Sequence, residues 1–304
     1  MRLTIEKLLG SGSFGVVFRC HTEGHQRVAV KRLSRGCLIL PAEVVVSQHV
    51  HHRNILPIEA IFASRLTNRL ILSLVSPLCT CDVARLIATP AKEGRRLTTR
   101  CCGRIALDTC RGLQALHAAK YVHRDVKAQN VLVRISQREG GYKITALVGD
   151  LGSTRPITQV CYPYASPKSI RTPEQWLGLP FGPESDVFAL GAFFLHLLQG
   201  RPRVATFLDC LRLLPKEGGN YLLEQVDASL VTPLKTLLKD SGRARPELET
   251  FVHNLEGRRA KFGGLALRCL DWAPTRPSLE EVISSLEDLF DDLADPDEPI
   301  PLYK

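Results

Sequence analysis

His123-Arg124-Asp125-Val126-Lys127-Ala128-Gln129-Asn130 is the stretch on which the reading of this chain turns. From Asp125 to Asn130 it sets a carboxylate that can act as a base, a cation that can meet a phosphate and an amide oxygen that can hold a metal. An acidic turn, Asp150-Leu151-Gly152, follows twenty residues after Asn130. Upstream lie Gly10-Ser11-Gly12-Ser13-Phe14-Gly15-Val16-Val17 and then Val28-Ala29-Val30-Lys31. Without a Cβ, Gly10, Gly12 and Gly15 let backbone N–H groups approach a phosphate closely. Such a glycine pattern can also open a dinucleotide-binding βαβ unit. Here the flanks argue otherwise, because it joins two strand-like segments and no helix pattern follows.

These four segments, in this order, resemble the eukaryotic protein kinases of Ser/Thr type. The likeness covers about residues 3 to 290 and implies an α+β, two-lobed fold. A small antiparallel β-sheet lobe with one helix (1–75) would precede a larger, mainly helical lobe (76–290) and an acidic tail (291–304). The resemblance implies ATP and Mg²⁺ as cofactors and a protein substrate. Gly10, Gly12, Gly15, Val17, Ala29 and Lys31 would surround the nucleotide. Lys31 needs a carboxylate partner, and Glu43, ahead of His52-Arg53-Asn54-Ile55, is the best candidate; Glu59 is a poorer rival. Asp125 would be the base for the substrate hydroxyl and Lys127 would neutralise the transferring phosphoryl group. Asn130 and Asp150 would hold the metal, since Mg²⁺ prefers hard oxygen donors. Lys127 at its position fits the Ser/Thr type rather than the tyrosine kinases.

Thr172-Pro173-Glu174 resembles the close of the activation segment, with Arg276 as the expected partner of Glu174 and Asp186 opening a buried helix. Arg171 to Glu174, Leu177-Gly178 and the run 207–214 give a weak likeness to the cyclin-dependent and MAP kinase branch. The chain departs from the pattern in four places. The interval from Lys31 to Glu43 is twelve residues, which is short. Leu151 replaces the usual Phe. The interval from Asn130 to Asp150 is longer than usual by roughly seven residues, and Gln137 to Gly141 reads as a lengthened hairpin turn. Residues 162–170 lack an expected threonine, with Pro167, Ser166 and Ser169 near its place. Such divergence suits a parasite or viral kinase. Within the segment from Asp150 to Glu174, Ser153, Thr154, Thr158, Tyr162, Tyr164, Ser166, Ser169 and Thr172 could carry a phosphate that docks on Arg124, Ser166 or Ser169 being favoured by position.

Periodicity agrees with the two-part plan. Leu3-Thr4-Ile5, Val16-Val17-Phe18, Arg27 to Lys31 and Ile71 to Val75 read as strands, and Glu43 to Val50 as a helix. Apolar residues at helical spacing predict helices over Thr98 to Ala119, Ser185 to Gln199 and Leu279 to Leu293, the last capped by Ser278. His196 reads as a packed side chain.

The 304 residues, 44% hydrophobic and 23% charged, suit a globular chain with ample length for a core. Ten cysteines lack zinc-type spacing, and no secretory leader or membrane-length apolar run is evident, so a reducing, intracellular setting (cytoplasm or nucleus, or a host cell) is expected. Net charge is +9 although 291–298 is acidic, which leaves a basic body able to attract anionic partners. Aromatic content of 6% argues against a specific nucleic-acid module. The acidic tail reads as disordered. The competing reading is a pseudokinase scaffold, supported by Leu151, the short interval before Glu43 and the unusual segment before Glu174. Against it, every residue with a chemical role is present. A regulatory protein partner is not identifiable from the residues.

Overall fold

The computed structural model describes residues 2–12, 15–33, 41–66, 69–92, 94–158, 171–179, 181–200, 211, 214–215, 217–239, 243–293, 295 and 298–303. Its first part is a five-stranded antiparallel sheet. The strands are β1 (Leu3–Gly12), β2 (Gly15–Thr22), β3 (Arg27–Leu33), β4 (Ala60–Leu66) and β5 (Arg69–Pro77), in the spatial order β1-β2-β3-β5-β4. β3 shows the alternation a half-buried strand requires: Val28 and Val30 point into a small core with Cys20 and Val75, while Ala29 and Lys31 face the other way. Gly15 is where only glycine fits. Its φ is +147°, and a Cβ there would lie 2.2 Å from the Arg32 carbonyl oxygen, so β2 can approach β3 only without a side chain. One helix, α1 (Ala42–His49), accompanies the sheet and buries Glu43, Val44 and Val46.

The second part is mainly helical. α2 (Val83–Ala91) follows a short strand β6 (Cys81–Asp82), and α3 (Thr99–Ala118) runs through the core with Ile105, Leu113 and Leu116 fully buried. Thr98 caps α3 by accepting the Cys101 N–H at 3.1 Å. Short β7 (Tyr121–Val122) leads into the loop 123–130. The hairpin β8 (Val131–Arg138) and β9 (Gly141–Val148) then returns the chain to Asp150. The lengthened Gln137–Gly141 segment is therefore the outer end of a regular hairpin. α4 (Pro173–Leu177) and α5 (Glu184–Gln199) come next; α5 buries residues 185–198, His196 among them. Further helices span Gly257–Cys269 and Leu279–Leu289, the latter opened by a capping box between Ser278 and Glu281.

The two parts are stitched together at the turn 52–55. Asn54 is fully buried, donates its side-chain amide to the Ala146 carbonyl (2.9 Å) and accepts the Val148 N–H on its backbone oxygen (2.8 Å). The Leu56 N–H in turn donates to the Val148 carbonyl (2.9 Å).

The expectation of a disordered acidic tail is corrected for its described residues. Asp292 and Glu298 pair with Arg100 at 3.1 and 2.7 Å, and Ile300 is 1% exposed. Ile300 exchanges two backbone hydrogen bonds of 3.0 Å with Tyr142, and Tyr303 bridges to Leu97. Composition suggested disorder because it counted the acids and missed the apolar anchors, Leu293 among them and Ile300 just after them.

Candidate functional site

Lys31 projects from β3 between two carboxylates. Its Nζ contacts Glu43 Oε1 on α1 and lies 2.6 Å from Asp150 Oδ1. Glu43 is thus the carboxylate that meets Lys31, despite the short interval between them. Burial disfavours the Lys31 ammonium, but the charges of Glu43 and Asp150 outweigh it and raise its pKa. Burial raises the Glu43 pKa against the pull of Lys31. For Asp150 the attraction and hydrogen bond of Lys31 overcome burial, so its carboxyl is held below the usual range.

The loop 123–130 is fastened from below by Asp186 at the start of α5. Asp186 is 1% exposed and accepts the backbone N–H groups of His123 (2.9 Å) and Arg124 (2.8 Å) and Nε2–H of His117 (2.8 Å). Burial opposes its charge, yet the bond and charge of His117 lower its pKa. His123 is fully buried; its Nδ1 accepts the Asp125 N–H at 3.2 Å, which leaves Nε2–H to donate to the Gly149 carbonyl at 3.0 Å. One imidazole therefore couples the loop to the turn that carries Asp150. Arg124 (φ 71°) and Asp150 (φ 52°) both sit in the left-handed region, a backbone cost that the bonds to Asp186 and Lys31 offset.

Asp125 receives Lys127 Nζ at 2.7 and 2.9 Å and the Asn130 amide N–H at 2.8 Å. Asn130 donates from the same nitrogen to the Asp125 carbonyl (2.8 Å), so its orientation is fixed and its side-chain oxygen remains as an acceptor. The Gly149 N–H donates to the Asn130 backbone oxygen at 2.8 Å, which keeps Asn130 beside Asp150. The donor set, one carboxylate and one amide oxygen, is hard and matches a magnesium ion that takes its other ligands from phosphates and water. Leu151, in place of the usual Phe, is buried in the core that contains Val46 and Val50.

Gly10 and Gly12 lie in β1 with open space where a Cβ would stand, and Gly12 pairs with Gly15 across the turn. Val17 is paired with Lys31 in register, and Ala29 lies two residues before Lys31 on the same strand face; both are half-buried. Ser13 and Phe14, between the glycines, lie outside the described residues.

Glu174 and Arg276 do approach one another, at 3.6 Å. The shorter bonds of Arg276 go to backbone oxygens, Glu184 (2.9 Å) and Asp271 (3.0 and 3.2 Å). Glu174 instead accepts the Tyr221 hydroxyl, a partner that sequence reasoning missed because nothing local marks it. Of the candidate phosphorylation positions, Ser153, Thr154 and Thr172 are buried, Thr172 as the cap of α4. Thr158 is exposed, while Tyr162, Tyr164, Ser166 and Ser169 lie outside the described residues, as does most of the run 207–214. The Arg124 guanidinium lies 5.4 Å above the Phe181 ring.

A family model described as a protein kinase domain matches residues 3–247. A receptor-like serine/threonine-protein kinase of Arabidopsis thaliana is 28% identical over 308 residues, 94% of this chain and 77% of the relative. A proline-rich receptor-like protein kinase of the same plant is 27% identical over 287 residues, 83% of this chain and 39% of the relative. A protein named as a probable cell division protein kinase of Encephalitozoon cuniculi is 29% identical over 207 residues, 65% of this chain and 62% of the relative. The chain spans less than two thirds of the length of several such relatives, 28% in one case. No helix among the described residues is long and apolar enough to cross a membrane.

Proposed function

The chain belongs to the protein kinase domain family, and from that membership and the assembled site we propose that it is an active kinase that transfers the γ-phosphoryl group of ATP to Ser or Thr hydroxyls of proteins. The observation that carries the proposal is the position of Lys31, held between Glu43 and Asp150 in one contiguous site with Asp125, Lys127 and Asn130. A pseudokinase scaffold has no need to keep every chemical group and its supporting bonds.

In this reading residues 1–75 bind the nucleotide and 76–290 carry the chemistry. Gly10, Gly12 and Gly15 admit the phosphates to the backbone, and Val17 and Ala29 pack against the base. The Lys31 ammonium, kept charged by its two carboxylates, turns to the α- and β-phosphates while Glu43 retains it. With Lys31 on the phosphates, the Asp150 carboxylate and the Asn130 side-chain oxygen would be the donors that hold Mg²⁺. Bound Mg²⁺ supplies the charge that offsets the phosphate oxygens. Asp125 orients the substrate hydroxyl and accepts its proton as the oxygen attacks phosphorus. Lys127, whose ammonium lies on the Asp125 carboxylate, would neutralise the charge developing on the transferring group. A phosphotransfer assay with ATP, Mg²⁺ and generic protein substrates tests the proposal.

A further inference from the structure

A recess of about 690 Å³ lies against the β8–β9 hairpin. Its walls come from the turn after α1, the segment after β5, and both strands of the hairpin. None of Lys31, Asp125, Asn130 or Asp150 lines it. Arg53, Arg134, Arg138 and Lys143 contribute four fixed positive charges, and no lining side chain is acidic. The floor is aliphatic, with Ile55, Leu78 and Ile135. Burial, and then the charges of Arg53 and Arg111, lower the pKa of His52, which also lines the recess.

We propose that this recess is a docking site for an acidic, leucine- or isoleucine-bearing linear segment of a partner protein. Arg134 and Arg138 are exposed on one strand of the hairpin, and with no carboxylate among the lining residues they favour an anionic partner and steer it to the surface. The aliphatic floor gives apolar side chains a place between the charges, which a purely ionic partner would leave empty. A nucleic acid fits less well, because no aromatic side chain lines the recess to stack on a base. Within the chain's own acidic tail, Asp292 and Glu298 are already paired with Arg100, and Asp291 with Arg258.

The recess is also held in shape before anything binds. The Tyr142–Ile300 backbone pairing braces the hairpin from one side, and the Asn54 bonds to Ala146 and Val148 brace it from the other. A partner therefore meets a formed wall and loses less free energy to ordering it. Docking does not depend on the catalytic reading, since it is measured as binding without nucleotide.

The test is fluorescence anisotropy of a short fluorescein-labelled peptide in which Asp and Glu alternate with Leu. Wild-type chain is compared with the double variants Arg134→Glu/Arg138→Glu and, more mildly, Arg134→Gln/Arg138→Gln. Both arginines are exposed, and thermal melts establish that the variants fold. Saturable, salt-sensitive binding to wild type is expected, weakened about tenfold or more by charge reversal and less by neutralisation. A peptide with the same acids and Ser in place of Leu should bind less tightly. Unchanged affinity in both variants overturns the site. Tighter binding of a single-stranded RNA or of phosphoinositide vesicles than of the peptide, lost in the same variants, overturns the protein partner.

Discussion

Asp186→Asn is the perturbation that best separates a positioned loop from an accidental one. Asp186 accepts three hydrogen bonds, from His123 N–H, Arg124 N–H and His117, while buried and ionised. Hydrogen bonds to a charged group contribute about 1.5–3 kcal/mol each. Asparagine keeps one acceptor oxygen and turns an NH₂ donor toward groups that are themselves donors. Two of the three bonds are lost or inverted, so the cost is about 3 kcal/mol, and for a chain of this size the melting temperature falls by about 6–12 °C. The acid limb carries the same signature. The carboxyl pKa is lowered in the folded state, so its stabilisation is complete above the ordinary aspartate range and is lost as pH falls through and below it. The variant should lack that part of the acid destabilisation. Calorimetry of both proteins across the acidic range, with phosphotransfer rates at neutral pH, makes the comparison. A melting temperature within about 1 °C of wild type, or turnover unaffected, would refute the claim that Asp186 holds the loop.

Three further outcomes are expected. Asp150→Ala should abolish the Mg²⁺-dependent part of the thermal shift given by ATP, because Asn130 alone is a neutral and weaker donor; an undiminished shift would move the metal site elsewhere. Gly15→Ala should cost about 2–4 kcal/mol and weaken nucleotide binding, since its Cβ would overlap the Arg32 carbonyl; a neutral result in urea unfolding would contradict the close approach of β2 and β3. Ile300→Ala should cost about 2–5 kcal/mol and speed amide exchange at Tyr142, whereas a disordered tail would show neither effect.

Much of this site was legible because short spacings dictate it. Asp125, Lys127 and Asn130 fall within one loop, and their mutual bonds follow from that proximity. Lys31 and Glu43 met although their interval looked short, since the strand direction and the start of α1 decide the contact rather than the loop length. β4 was not foreseen, because Ala60–Leu66 mixes polar and apolar residues and gains its identity from pairing with β5. Tyr221 on Glu174 and the Ile300 brace on the hairpin are long-range contacts between segments whose own patterns are ordinary. The basic recess was visible only as excess charge until the hairpin and the turn after α1 came together.

The central claim is that Asp125 is the base of a working phosphotransfer site. Its most direct test is the steady-state rate of γ-phosphoryl transfer by wild type and by Asp125→Asn, with nucleotide affinity measured in parallel. The account predicts transfer to Ser or Thr by wild type, and a fall of about 10²–10⁴ in turnover with ATP affinity retained in the variant. Equal rates in the two proteins, or no transfer by wild type to any protein substrate, would contradict it.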